Sequence, residues 1–293
     1  MPQILVLGAT GYLGRHVTRE LHHRGHTIHA IIRSRTTAET IGPWGAPSLS
    51  GIVSEWIEGD ISKDNLVEGI TERIDYVVSC LGVTTQKADP WDIDYKANLA
   101  VLADAEKNNV RGFCYVNVIN GEKCPSRMTR AKTAFTNTLE RSSVVSQVID
   151  PPAYFSDMMQ ILTMVQKSGR LWTFAPAGEV RINPIHGADL AVEVANRLEA
   201  AQQGRWKVGG PDVFTWQDLA DLAGKTIGRK ATISKVPAWL LRLLLWTAER
   251  LTPRKADMIR FLVWNMTNDA VGARTGTHHL AEFWAEQVTA PCP

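Results

Sequence analysis

Short apolar runs rich in Val, Ile and aromatic residues alternate along this chain with stretches whose apolar positions recur every three to four residues. The runs Ile4–Leu7, His26–Ile32, Ser54–Glu58, Tyr76–Ser79, Gly112–Val118 and Val144–Ile149 predict strands. The stretches Tyr12–His23, Pro90–Asn109 and Arg127–Arg141 between them predict helices. Strand-to-helix alternation of this kind predicts an α/β fold: a doubly wound parallel sheet with crossover helices. The rhythm breaks at Thr36–Gly51, where Gly42, Pro43, Gly45, Pro47 and Gly51 predict a loop.

Beyond residue 150 the strands thin out and prolines punctuate shorter elements. The expected organisation is therefore an α/β core over 1–150 and a smaller region over 151–293, interleaved with that core. Six of the ten tryptophans fall after residue 200, enough to build a large apolar surface there.

Composition narrows the classes. With 293 residues, 44% of them hydrophobic, and 32 basic against 30 acidic side chains, the chain is neither disordered nor a small disulfide scaffold. A formal charge of +2 supplies no long-range field for nucleic acid, and none is expected as a partner. Cys80, Cys114, Cys124 and Cys292 are scattered, which argues against zinc or disulfide frameworks and suggests a reducing, cytoplasmic setting. The first apolar run is too short for a leader peptide. The longest, Val236–Trp246, falls short of the roughly 20 residues of a membrane span and contains Arg242.

The strongest chemical signal follows the first run. Gly8, Gly11 and Gly14, in the loop with Thr10, Tyr12 and Leu13, lie between a predicted strand and a predicted helix. Glycines admit a pyrophosphate close to the backbone, and the helix N-terminus offers free amides and a positive dipole end, so a dinucleotide fits. At the end of the second strand, where a carboxylate would hold the ribose hydroxyls of NAD, stand Arg33 and Arg35. Two guanidinium groups and no acid suit a 2′-phosphate, making NADP(H) the expected cofactor. Asp60 and Ile61 after the third strand and Cys80, Leu81 and Gly82 after the fourth occupy strand ends where a ligand would lie.

With the glycine loop, the stretches VVSCLG (77–82), DYKANLAVLADAEKNNVRGFCYV (94–116), RAKTAFTNTLE (130–140), INPIHGADLAVEVANRLE (182–199) and VGGPDVFTWQDLADL (208–222) complete a pattern. The chain resembles the atypical short-chain dehydrogenase/reductase superfamily, in the branch of NmrA-like proteins and divinyl chlorophyllide reductases. The resemblance implies a Rossmann sheet carrying NADP(H) and a C-terminal region that selects the substrate. It also implies a Tyr-x-x-x-Lys catalytic pair. Lys132 matches the lysine, but Met128 stands where the proton-donating tyrosine would be, and Asn117 replaces the usual serine of the preceding strand.

Three readings of that departure follow. In the first, a conjugated double bond is reduced, with Lys132 and Asn117 polarising the carbonyl oxygen while water supplies the carbon proton. In the second, a ketone is reduced and another acid stands in: Tyr154 first, Tyr95 next, then His186, Tyr12 or Lys132 itself. In the third, the chain binds NADP(H) without turnover, as a regulator or assembly factor. Relatives of the divinyl-reductase type also lack the tyrosine, which favours catalysis. The leading expectation is a reductase of a hydrophobic ketone or enone in pigment or secondary metabolism. A sugar-nucleotide epimerase or dehydratase is a weaker reading, because the C-terminal region is apolar.

Five histidines, His16, His22, His23, His26 and His29, cluster near the first helix, but Gly25 interrupts their spacing and no metal is expected. His186 is expected to tie a strand to a helix through Asp189. The segment 237–264 reads as apolar helix beside Arg250, Arg254 and Lys255. It fits a peripheral membrane contact, a wall for the hydrophobic substrate, or core packing. The oligomeric state stays open.

Overall fold

A computed structural model describes residues 1–63, 66–83, 88–174 and 178–289; Cys292 lies outside them. The predicted strands are present as β1 (Gln3–Leu7), β2 (Thr27–Ile32), β3 (Glu55–Glu58), β4 (Tyr76–Ser79), β5 (Gly112–Val116) and β6 (Val145–Asp150). Helices α1 (Tyr12–His23) and α4 (Arg127–Leu139) also fall where the apolar periodicity placed them. The strands run in the order β3-β2-β1-β4-β5-β6, each neighbouring pair parallel. Ile4 to Leu7 are buried without alternation, as expected for a strand covered on both faces. This is the doubly wound α/β architecture. Its strand order reverses between β1 and β4, where such sheets open a crevice at their carboxyl edge.

The chain forms two compact units. The first comprises Met1–Gly121, Arg130–Asp150 and Gly187–Trp206. Its third piece carries α6 (Gly187–Ala200), which packs on α1. The Gly187 amide donates to the Tyr12 hydroxyl at 3.1 Å, and a Cβ at Gly187 would come within 3.0 Å of that ring. The second unit comprises Glu122–Thr129, Pro151–His186 and Lys207–Pro293. It is built around α5 (Phe155–Ser168), α7 (Trp216–Thr226) and α10 (Leu280–Thr289), with Phe155, Leu219 and Trp284 buried. Asn183 stitches its loops: Nδ2 donates to Gly210 O and Gly272 O, each at 3.1 Å, and Oδ1 accepts the Gly272 amide at 2.9 Å. His186 stacks on His278 at 4.3 Å and meets the rings of Phe155 and Phe283.

Two segments depart from the sequence expectation. Within Thr36–Gly51 the chain forms α2 (Arg35–Glu39) and a 3-10 turn at Pro43–Gly45. The cause is Arg15, a buried side chain of α1 that donates to the carbonyls of Thr10, Thr37, Ala38, Thr40 and Pro47 at 2.6–3.1 Å. The loop is wrapped around one guanidinium. The expected single helix over Pro90–Asn109 divides into a π-helical turn, Trp91–Ala97, and α3 (Asn98–Lys107). The Asn98 side chain donates through Nδ2 to the carbonyls of Ile93 and Asp94 at 3.3 and 3.0 Å. Wide turns of this kind recur at functional sites.

Candidate NAD(P) site

The loop between β1 and α1 has the geometry of an anion cradle. Gly8 has φ +73°, and a Cβ there would lie 2.8 Å from Cys80 O, so the chain passes directly against the end of β4. At Gly14 a Cβ would lie 2.8 Å from the Gly8 carbonyl carbon and 2.9 Å from Ala9 Cα. Real Cβ atoms do not approach so closely, and only glycine fits these two positions. Gly11, the N-cap of α1, has extended backbone and no side-chain cap, so the first amides of the helix are left for a ligand.

Arg33 is exposed at the carboxyl end of β2, and its positive charge is one of the influences that lower the pKa of Asp60, after the hydrogen bond from Ser62. Asp60 Oδ1 accepts from the Ser62 hydroxyl at 2.7 Å and amide at 3.1 Å, with half-buried Ile61 between them. Arg35 lies on α2, ion-paired to Glu39 at 2.9 Å and stacked over Trp56 at 5.8 Å. The first unit thus brings two guanidinium groups to one strand end. Cys80 follows β4 with its thiol pKa pushed up to about 12 by burial, so it is not a nucleophile at neutral pH.

Lys132 reaches this carboxyl edge from α4. Its ammonium donates to Leu81 O (3.1 Å), Val116 O (3.3 Å) and the Tyr115 hydroxyl (3.3 Å), and pairs with Asp94 Oδ1 at 3.2 Å. A Cβ on Gly82 would sit 3.7 Å from that ammonium and 3.8 Å from Asp94 Oδ1, so this glycine lies directly against the pair. Asp94, delivered by the π turn, is fully buried. Burial raises its pKa while the Lys132 charge opposes the rise. Burial likewise keeps the Tyr115 phenol protonated, with its pKa raised.

The sequence signals missed Asp94 and Tyr115. Neither lies at motif spacing from Lys132, although the unusual buried acid in Asp94-Tyr95-Lys96 and the tyrosine inside an apolar strand were visible. Asn117, the other expected polar group, is buried and donates through Nδ2 to Asp150 Oδ1 at 2.8 Å; Arg205 holds Asp150 Oδ2 at 2.6 Å. Tyr154 belongs to the second unit, half-buried at the start of α5, where its amide donates to Asp157 Oδ2 at 3.0 Å. Tyr95 meets Trp91 edge-on at 5.4 Å. Met128 stands one helical turn before Lys132 on α4.

Residues 4–118 match the NAD dependent epimerase/dehydratase family. The chain is 26% identical to the chloroplastic divinyl chlorophyllide a 8-vinyl-reductase of Zea mays over 88% of its own length and 68% of the relative's. It is 21% identical to the photosystem II assembly factor Ycf39 of Synechocystis, over 83% of this chain and 73% of that one. Over these stretches the chain is similar to proteins of the atypical short-chain dehydrogenase/reductase group. Among solved structures, the NADPH complex of Escherichia coli quinone oxidoreductase QOR2 superposes with a TM-score of 0.74 at 17% identity, covering 98% of this chain and all of that one. The NAD+ complex of Bordetella bronchiseptica WbmH gives 0.66 at 16% identity, over 81% and 86% of the two chains. At such identities these likenesses show the fold. The chain spans 60–68% of the length of the vinyl-reductases it matches. Its residues 4–118, glycine loop included, match an NAD-dependent family, and its fold is that of NAD(P)-binding proteins.

Proposed function

We propose that this chain is an NADPH-dependent reductase of a hydrophobic small molecule bearing a ketone or a conjugated enone. The observation that carries the reading is the buried Lys132 ammonium, held at the carboxyl edge of the sheet by Asp94 and Tyr115 beside Gly82. The likeness to vinyl-reductases supports reduction as the chemistry. The Gly8–Gly14 cradle would hold the pyrophosphate and Arg33, with Arg35, the 2′-phosphate; the bound nucleotide supplies hydride. Lys132 stabilises negative charge developing on a substrate oxygen, a role worth several orders of magnitude in rate when the donor is fixed in advance. Tyr115 remains a neutral phenol bonded to Nζ and positions it. Asp94 balances the ammonium charge in a buried setting. With Met128 in place of a phenol, oxygen stabilisation falls to the ammonium, which suits an enone whose carbon takes its proton from water.

A second reading, binding without turnover, is favoured by the likeness to an assembly factor and by Met128 itself. One experiment separates the two. Nucleotide binding is followed by fluorescence, then oxidation of NADPH is followed by absorbance against hydrophobic ketones, enones and vinyl-bearing pigments. The reductase reading expects NADPH preferred over NADH, loss of that preference in Arg33→Ala, and turnover that Lys132→Met lowers by about a hundredfold or more. Tight binding with silence across the panel would instead support the assembly reading.

A further inference from the structure

The second unit carries a helical hairpin with an apolar outer face. Helix α8 (Ala238–Leu251) contains no buried residue, and α9 (Pro253–Thr267) is anchored by Ala256 and Met266, whose carbonyl accepts the Trp216 indole at 3.1 Å. Helix α8 packs on α9, so core packing is excluded as its role. Trp239, Leu243 and Trp246 follow helical spacing and are 67%, 49% and 53% exposed; Leu251, Met258 and Leu262 are also exposed. Large apolar side chains left exposed in this number on one hairpin mark an interaction site.

The charges around this face identify its partner. Arg242, Arg250, Arg254 and Lys255 are exposed, the last three at the turn between the helices, and Arg250 lies over the Trp246 ring at 3.8 Å. The acids of the hairpin are already used: Glu249 pairs with Arg260, and Asp257 is buried and accepts the Arg127 amide. The face thus combines apolar anchors, two of them indoles, with basic groups at its edge. Indoles settle at the boundary between headgroups and acyl chains, and arginines pair with lipid phosphates. Among the described residues no helix is long and apolar enough to cross a membrane, so the hairpin would lie on the surface.

We propose that the α8–α9 hairpin docks this protein on an anionic lipid surface. The proposal does not depend on the reductase reading. It is tested by sedimenting the full chain with phosphatidylglycerol-rich vesicles and with pure phosphatidylcholine vesicles. Binding is expected to the anionic vesicles and to weaken with salt. The double variant Arg250→Glu with Arg254→Glu should lose on the order of tenfold or more in partitioning. Trp239→Glu with Trp246→Glu should lose it as well, with the far-ultraviolet spectrum and nucleotide binding unchanged because these side chains are exposed. Absence of binding to anionic vesicles overturns the proposal. So does equal binding to neutral vesicles, or a dimer, seen by light scattering, that the tryptophan variant dissociates while vesicles leave the parent unbound.

Discussion

Gly11 caps α1 and Gly14 lies in its first turn, yet their side-chain space differs. A methyl at Gly14 collides with the backbone of Gly8 and Ala9, whereas one at Gly11 would rest 3.4 Å from Gly8 O. Gly14→Ala should therefore weaken NAD(P)H binding by about tenfold or more, one such factor costing about 1.4 kcal/mol. Gly11→Ala leaves the fold room for its methyl but puts it on backbone that a pyrophosphate would approach, so it should weaken binding without lowering the thermal midpoint. A fluorescence titration in which both variants bind like the parent would contradict the cradle. Lys132 and Asp94 make a second contrast. Lys132→Met strands a fully buried carboxyl and should cost about 3 kcal/mol near neutral pH. Burial raises the Asp94 pKa, and removing the ammonium raises it further. A carboxyl whose folded pKa exceeds its unfolded value contributes stability at low pH and loses it as pH rises through the folded value. The deficit of Lys132→Met should thus shrink on acidification. Asp94→Asn in the same chain should recover part of it at neutral pH, and urea midpoints across pH would show whether it does.

At the scale of elements, Arg15 decides the shape of a segment that its own composition leaves as a loop. Its four carbonyl partners in that segment turn the chain around the guanidinium, and a Cβ at Gly42 would lie 2.5 Å from Arg15 Nε, so the wrapping is tight. Arg15→Met leaves several buried carbonyls unsatisfied and should lower stability by about 3 kcal/mol, with faster proteolysis between residues 36 and 51. Unchanged urea stability and cleavage would show that the loop holds without it. The strands were legible because apolar runs bounded by turn residues have one compact solution in an α/β chain. The wrapped loop and the π turn were not, because each is set by one polar side chain satisfying distant or out-of-register carbonyls, a choice that periodicity does not encode.

For the whole molecule, the elements of the proposed nucleotide site all belong to the first unit, although that unit is drawn from three separate stretches of chain. A ligand that binds only the folded unit stabilises it by mass action, about 2.7 kcal/mol at a hundred times its dissociation constant. NADPH should accordingly raise the thermal midpoint more than NADH at equal concentration, and equal shifts would remove the 2′-phosphate role of Arg33 and Arg35. By itself the sequence determined the α/β class, the positions of β1 to β6, the glycine cradle, the paired arginines after β2 and the substitution of Met128 for a tyrosine. These are local matters, fixed by residue type and spacing along a few turns of chain. Only the tertiary structure decided that Asp94 and Tyr115 close around Lys132, that Asn117 serves Asp150, that Gly187–Trp206 returns to the first unit, and that α8 is left exposed. Each depends on which distant side chains meet in the folded chain, where burial makes an unpaired charge costly and a satisfied one possible.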